Sequence, residues 1–163
     1  MVETGMKALI VYYSRTGRTR KVAEAIASLT GGDLEEIRER RGRGGLLGWL
    51  RSGMESTRGL LPNIEPLGKD PASYGLVVIG TPIWASNASS PIRAFVKQYG
   101  DRIREAAFFC TGDGNEADKV FKGLEELLGR KPQSTMALLG EEREGDLLEA
   151  KSREFVDSLK TSP

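Results

Sequence analysis

The 163-residue chain has no histidine and a single cysteine, Cys110. A zinc site built on imidazoles and a Ser-His-Asp triad are therefore excluded, and so is an intrachain disulfide. No apolar run reaches the roughly 20 residues needed to cross a bilayer. The opening residues, MVETGMK, lack the basic start and apolar stretch of a secretion signal. A cytoplasmic protein without a membrane span is expected. Neither sign of charge dominates, because 24 Lys and Arg against 23 Asp and Glu leave a net charge of +1. Nucleic acid is thus not an expected partner. The total conceals an asymmetry: residues 1–58 hold 11 basic and 7 acidic side chains, whereas residues 59–163 hold 13 and 16.

What is present suits one domain over residues 1–163. Hydrophobic residues make up 39% of the chain, and folding at this length buries roughly 70% of the surface of the unfolded chain. From Lys7, KALIVYYS is apolar and β-branched and ends in SRTGRT, which predicts a buried strand running into a turn. Val22, Ala25, Ile26 and Leu29 follow at helical spacing, and Gly31-Gly32 ends that pattern. Residues 33–39, DLEEIRE, predict a short, polar edge strand.

LVVIG at 76–80 predicts the central strand, ending at Thr81-Pro82, and Pro91 opens a helix with Ile92, Phe95, Val96 and Tyr99 on one face. AAFFCTG from Ala106 and STMALLG from Ser134 predict two further strands, each followed by a helix. The first of these helices carries Val120, Phe121, Leu124, Leu127 and Leu128, and the second Leu147, Leu148, Phe155 and Leu159. Such alternation predicts an α/β fold: a doubly wound five-stranded parallel sheet with helices on both faces. Residues 40–72 read as an irregular or short-helical connection, with Leu46, Leu47, Trp49 and Leu50 on its helical piece.

In open sheets of this kind, ligands bind beyond the carboxyl ends of the strands, where the strand order reverses. The loops after the first, third and fourth strands read SRTGRT (Ser14 to Thr19), TPIWASNASSP (Thr81 to Pro91) and TGDGN (Thr111 to Asn115). Their hydroxyls, glycines and backbone amides suit a phosphorylated, partly aromatic ligand. In the first loop Gly17 permits a tight turn, and the amides after it lie at a helix N-terminus. The hydroxyls of Ser14, Thr16 and Thr19 can donate to phosphate oxygens. The alternative is that Ser14 and Thr16 merely cap the helix.

The spacing Ser14-x-Thr16-Gly17-x-Thr19 directly after a first strand resembles the FMN phosphate loop of the flavodoxin family. GTPIW at 80–84 resembles the second flavin loop of bacterial flavodoxin-like proteins, and TGDGN takes the place of the third. The resemblance covers essentially the whole chain and implies the strand order 2-1-3-4-5 with FMN as cofactor. It implies that Ser14, Arg15, Thr16, Gly17, Arg18 and Thr19 hold the phosphate. Thr81, Pro82, Ile83, Trp84 and Ala85 then border the isoalloxazine ring. In the third loop, which starts at Thr111, Gly112, Asp113, Gly114 and Asn115 cover the pyrimidine side or the ribityl chain. Trp84 is the expected stacking residue, with a partly buried core tryptophan as the alternative.

The resemblance implies an FMN-binding electron-transfer protein that serves a redox partner protein, with no side chain as general acid or base and no metal. Two departures keep a second reading open. The third loop lacks the second aromatic that many flavodoxins place there, and the family's acidity is not shared, since Arg15, Arg18, Arg20, Arg38, Arg40, Arg41 and Arg43 crowd the early chain. These favour an NAD(P)H-dependent FMN or quinone reductase of the same fold. A flavin-free interaction module is the third reading, and a monomer and a homodimer both fit.

Other signatures fall away. GRGGLLG at 42–48 has Leu47 where a dinucleotide-binding G-x-G-x-x-G needs its last glycine, and GxxxxGK[ST] is absent. Tyr13-Ser14 and Thr81-Pro82 stand where response regulators carry their acidic pair and aspartate. The Arg38 to Arg43 stretch reads as a solvated loop, or as a contact for nucleic acid, an acidic redox partner or a phosphorylated nicotinamide. Cys110 reads as a packing residue. Asn87-Ala88-Ser89 spells a glycosylation acceptor, which has no bearing on a chain without a secretion signal.

Overall fold

β1 (Ala8–Tyr12) is buried at all five positions, as a strand apolar on both faces must be. The structure, a computed structural model, describes residues 7–40 and 61–160. The short helix expected around Leu46 to Leu50 lies outside them, as do Arg41 and Arg43. After β1 comes α1 (Arg18–Thr30), which ends at Gly31, whose φ of 70° lets its N–H turn back to the Ala27 carbonyl. Its buried stripe is Thr19, Val22, Ala23 and Ile26, spaced i, i+3, i+4, i+7. Ala25 and Leu29 lie on the flank of that stripe and are half-buried.

β2 (Asp33–Glu36) is half-buried along its whole length and forms one edge of the sheet. β3 (Leu76–Trp84) is longer than expected, because it passes through Thr81-Pro82 instead of ending there. Extended backbone accommodates the fixed φ of proline. The short β4 (Asn87–Ala88) then returns antiparallel, pairing with Ile83 and Trp84 and so prolonging the strand. The hairpin turns on Ala85 (φ 50°) and Ser86 (φ 65°), both in the left-handed region that a type I′ turn requires.

α2 (Ser90–Tyr99) opens with Pro91, β5 (Ala106–Gly112) leads to α3 (Ala117–Leu128), and β6 (Thr135–Leu139) leads to α4 (Gly145–Asp157). The sheet order is β2-β1-β3-β5-β6 with all of these neighbours parallel, so the five main strands take the order 2-1-3-4-5. The chain steps from β1 outward to β2 and then back across to β3. The crevice between the ends of β1 and β3 is therefore the switch point.

Side-chain alternation divides the core into two layers. Leu9, Val11, Val77, Ile79, Phe108 and Cys110 face α2 and α3, through Ile92, Phe95, Val120 and Leu124. Ile10, Leu76, Val78, Phe109 and Leu138 face α1 and α4, through Val22, Ile26, Leu148 and Phe155. Each such side chain contributes about 1.5–3 kcal/mol on leaving water. Leu127 and Leu147, expected on buried helix faces, are 39% and 51% exposed. Each sits about 100° around its helix from a more buried leucine, Leu128 or Leu148, and so turns away from the sheet.

Both sheet edges are tended by lysines. Lys69 Nζ donates to the Leu34 carbonyl of β2 at 3.1 Å, and Lys151 Nζ donates to the Ala137 carbonyl of β6 at 2.9 Å.

Candidate functional site

The first loop leaves β1 and enters α1 through Gly17, which holds φ 94° with no heavy atom within 4 Å of where a Cβ would stand. The Ser14 hydroxyl accepts from the Gly17 N–H at 3.0 Å and from the Arg20 N–H at 3.2 Å. Ser14 therefore caps the first turn of the helix, whereas Thr16 makes no such bond among the described residues. The N–H groups of Thr16, Arg18 and Thr19 find no acceptor among the described residues. Three such donors at a helix N-terminus suit the three oxygens of a phosphate monoester.

Thr16 and Arg18 are exposed, but Thr19 is buried, and its hydroxyl lies 2.9 Å from that of Thr111. This contact joins the first loop to the third. Thr81 is also buried, with no exposed surface. Its hydroxyl accepts the Ser89 N–H at 2.8 Å and lies 2.8 Å from the Pro82 carbonyl, so it pins the base of the hairpin. The second and third loops meet where the Ile83 side chain packs on Gly112; a Cβ there would stand 2.9 Å from Ile83 Cδ1. Pro82, Ile83 and Trp84 are half-buried, while Ala85, Asp113, Gly114 and Asn115 are exposed. Thr19, Thr81 and Thr111 thus stand behind the surface that the other expected site residues form.

Trp84 is bracketed from the first loop. Tyr13 meets it edge-on, with ring centroids 5.5 Å apart and planes at 86°, and the Arg15 guanidinium lies over the indole at 5.5 Å. Such a cation–π contact at an exposed site is worth about 0.5–1 kcal/mol. Arg93 supports the hairpin from α2, its Nε donating to the Ala88 carbonyl at 3.1 Å, and burial lowers its pKa.

At the third loop, Arg143 pairs with Asp113 at 2.7 Å. The guanidinium side chain is 13% exposed and the carboxylate side chain 78%. Sequence reasoning missed Tyr13, Arg93 and Arg143; only Tyr13, adjacent to Ser14, carried a positional signal. On the β2 side, Arg20 reaches Glu36 at 2.6 Å, and Arg38 reaches the same carboxylate at 3.0 Å. The hydrogen bond to Glu36 raises the pKa of Arg20, with a further bond to Tyr12 adding to it.

Burial pushes the Cys110 thiol up to about 12, helped by the Asp118 charge, which fits a packing role. A cleft of about 230 Å³ between β6 and α4, lined by Ser134, Met136, Lys151 and Phe155 among others, lies two strands from β3 and is separate from this crevice. Among the described residues no group of acidic or cysteine side chains is placed to hold a metal, and no helix is long and apolar enough to cross a membrane.

The family model for flavodoxin matches residues 7–153. The chain belongs to the flavodoxin family. No curated protein matches it. Among solved structures, a flavoprotein from Lactobacillus acidophilus NCFM in complex with FMN is 27% identical, with a TM-score of 0.70 over 82% of this chain and 93% of that one. A Bacteroides eggerthii DSM 20697 protein assigned as a flavoprotein is 25% identical, with a TM-score of 0.79 over 94% and 97%. The WrbA-like flavodoxin of Agrobacterium tumefaciens is 12% identical, with a TM-score of 0.57 over 94% and 95%, a likeness of fold. The flavodoxin-like fold expected from the three loops is therefore present, and these relatives are flavoproteins.

Proposed function

We propose that this flavodoxin-family protein binds FMN between the loops after β1, β3 and β5 and works as an electron-transfer protein. The observation that carries the reading is the set of unaccepted N–H groups at Thr16, Arg18 and Thr19, one crevice away from Trp84. The complex of the Lactobacillus acidophilus flavoprotein with FMN supports it. Bound FMN would supply the one- and two-electron chemistry that these side chains lack.

The chain's own residues have distinct tasks in this reading. Ser14 holds the first turn of α1 open for the phosphate, and Arg15 and Arg18 add positive charge beside it. Trp84 offers an indole for stacking, kept in place by Tyr13. Gly112 to Asn115 border the remaining side, with Asp113 held by Arg143.

The exposed third loop, which carries no aromatic ring, favours a second reading: a substrate reaches the flavin directly, and the protein is an NAD(P)H-dependent FMN or quinone reductase. Visible spectra of the purified protein, with added FMN and then NADPH, test both. The carrier shows a flavin spectrum and no steady NADPH consumption with a quinone unless a separate reductase is added. Rapid turnover without one would establish the reductase, and failure to take up FMN would overturn both.

A further inference from the structure

β5 and β6 run side by side with Gly112 opposite Leu139, so the third loop and the turn after β6 leave the sheet as neighbours. That turn is closely braced. Gly140 holds φ 58°, the Leu139 N–H donates to Glu142 Oε1 at 3.0 Å, and Lys151 Nζ donates to the other oxygen of Glu142 at 2.9 Å. Arg143 folds back over the turn, its Nε donating to the Gly140 carbonyl at 2.9 Å and its Nη2 to Asp113 Oδ1 at 2.7 Å. The guanidinium is thus fixed through two of its nitrogens and nearly enclosed, whereas the carboxylate it holds belongs to an exposed loop. Among the described residues no other side-chain hydrogen bond reaches Asp113, Gly114 or Asn115. The charges that flank the pair in the chain are mostly negative: Glu116 and Asp118 after the third loop, with Lys119 beside them, and Glu141, Glu144 and Asp146 about the turn.

We propose that Arg143 is a positioning residue for the cofactor: through Asp113 it sets where the third loop stands, and its charge offsets that carboxylate beside the flavin. The inference rests on the FMN reading, in which Gly112 to Asn115 border the pyrimidine side or the ribityl chain. An ion pair with one partner in water adds little to stability, so the contribution of this one is sought in placement and charge. Reducing a flavin leaves negative charge on the pyrimidine end of the ring near neutral pH, and charge beside the ring nitrogens is one of the levers a protein has on its cofactor. A lone Asp113 carboxylate there opposes that negative charge. Shared with a guanidinium, it does so far less, because the fields of the two groups nearly cancel at a distance. A lysine carries the same charge but lacks the planar fork that bonds Gly140 and Asp113 together. Arg143 therefore acts on the affinity for reduced FMN more than on that for oxidised FMN.

The test is the midpoint potential of the FMN-loaded full chain, measured against a reference dye, together with the dissociation constant of oxidised FMN. Arg143→Gln is expected to weaken reduced FMN about fivefold more than oxidised FMN, which is a potential about 20 mV lower for a two-electron couple. Arg143→Lys should recover most of that shift. Asp113→Asn should move the potential upward, because both variants loosen the loop alike but change its charge in opposite senses. Potentials unmoved by Arg143→Gln, or moved the same way by Arg143→Gln and Asp113→Asn, would overturn the proposal, since a brace without an electrostatic part predicts that outcome. If Arg143→Gln does not fold, the exposed Asp113→Asn decides by its sign: a higher potential supports the role, and an equal or lower one refutes it. FMN uptake is read separately from the visible spectrum. Colour with unmoved potentials defeats only the role of Arg143, whereas a native chain that takes up no FMN defeats the FMN reading and the role with it.

Discussion

The hydroxyls of Thr19 and Thr111 lie 2.9 Å apart inside the molecule, joining residues 92 positions apart in the chain. Thr19 stands in the first turn of α1 and Thr111 near the end of β5, so one hydrogen bond ties together two site loops that β3 holds apart. Removing one partner strands the other hydroxyl without water. Thr19→Val and Thr111→Val should each destabilise the fold by about 1–3 kcal/mol, and the double variant by less than the sum. Urea unfolding of the three variants measures this, and additive losses would disprove the coupling.

Gly80 is covered by the Phe109 ring, whose Cζ lies 2.0 Å from where a Cβ would be built. Gly80→Ala therefore forces the ring to move and should cost about 1–3 kcal/mol. Phe109→Leu in the Gly80→Ala background should recover part of that loss, which a thermal melt of the two single variants and the pair would reveal.

The hairpin turn holds Ala85 and Ser86 at φ 50° and 65° without a glycine. Left-handed backbone costs an L-residue roughly 1–2 kcal/mol, part of which glycine returns through its freer unfolded state. Ser86→Gly is expected to raise stability by about 0.5–1 kcal/mol, seen as a higher melting temperature; a lower one would mean that Ser86 makes a compensating contact.

Cys110 is fully buried, and its thiol is shifted from an ordinary value near 9.0 up to about 12. The folded state keeps the proton that the unfolded chain releases. The stability this gives is complete below about pH 9 and is lost as pH rises towards 12. Cys110→Ala should lack that alkaline loss. In the native protein, labelling by a thiol-reactive disulfide reagent should run at least about tenfold slower than in the urea-unfolded chain.

The order of elements was legible because each main strand except the polar edge strand β2 is a nearly continuous apolar run and each helix a spaced stripe, patterns that survive without tertiary information. The prolongation of β3 through Pro82 was not, because it depends on pairing with β4, and a two-residue strand has no pattern of its own. At the site, the glycines and hydroxyls of the first loop were visible as chemistry. Which of them face outward was not: Thr16 stands exposed before the helix, whereas Thr19 begins the sheet-facing stripe of α1 and meets Thr111. Arg143 was hidden for the same reason, since its partnership with Asp113 spans 30 positions and leaves no local trace.

An α/β sheet of this kind ends in two strands with open sides, and an open side invites a further strand from another molecule. Here each carries a lysine on a main-chain carbonyl, Lys69 on Leu34 and Lys151 on Ala137. A second chain adding itself to either side would have to displace an ammonium group or bury it beside its own backbone, a penalty that apolar contacts along so short a strand do not readily offset. Each lysine thus occupies a main-chain acceptor that an added strand would have to claim before it could pair.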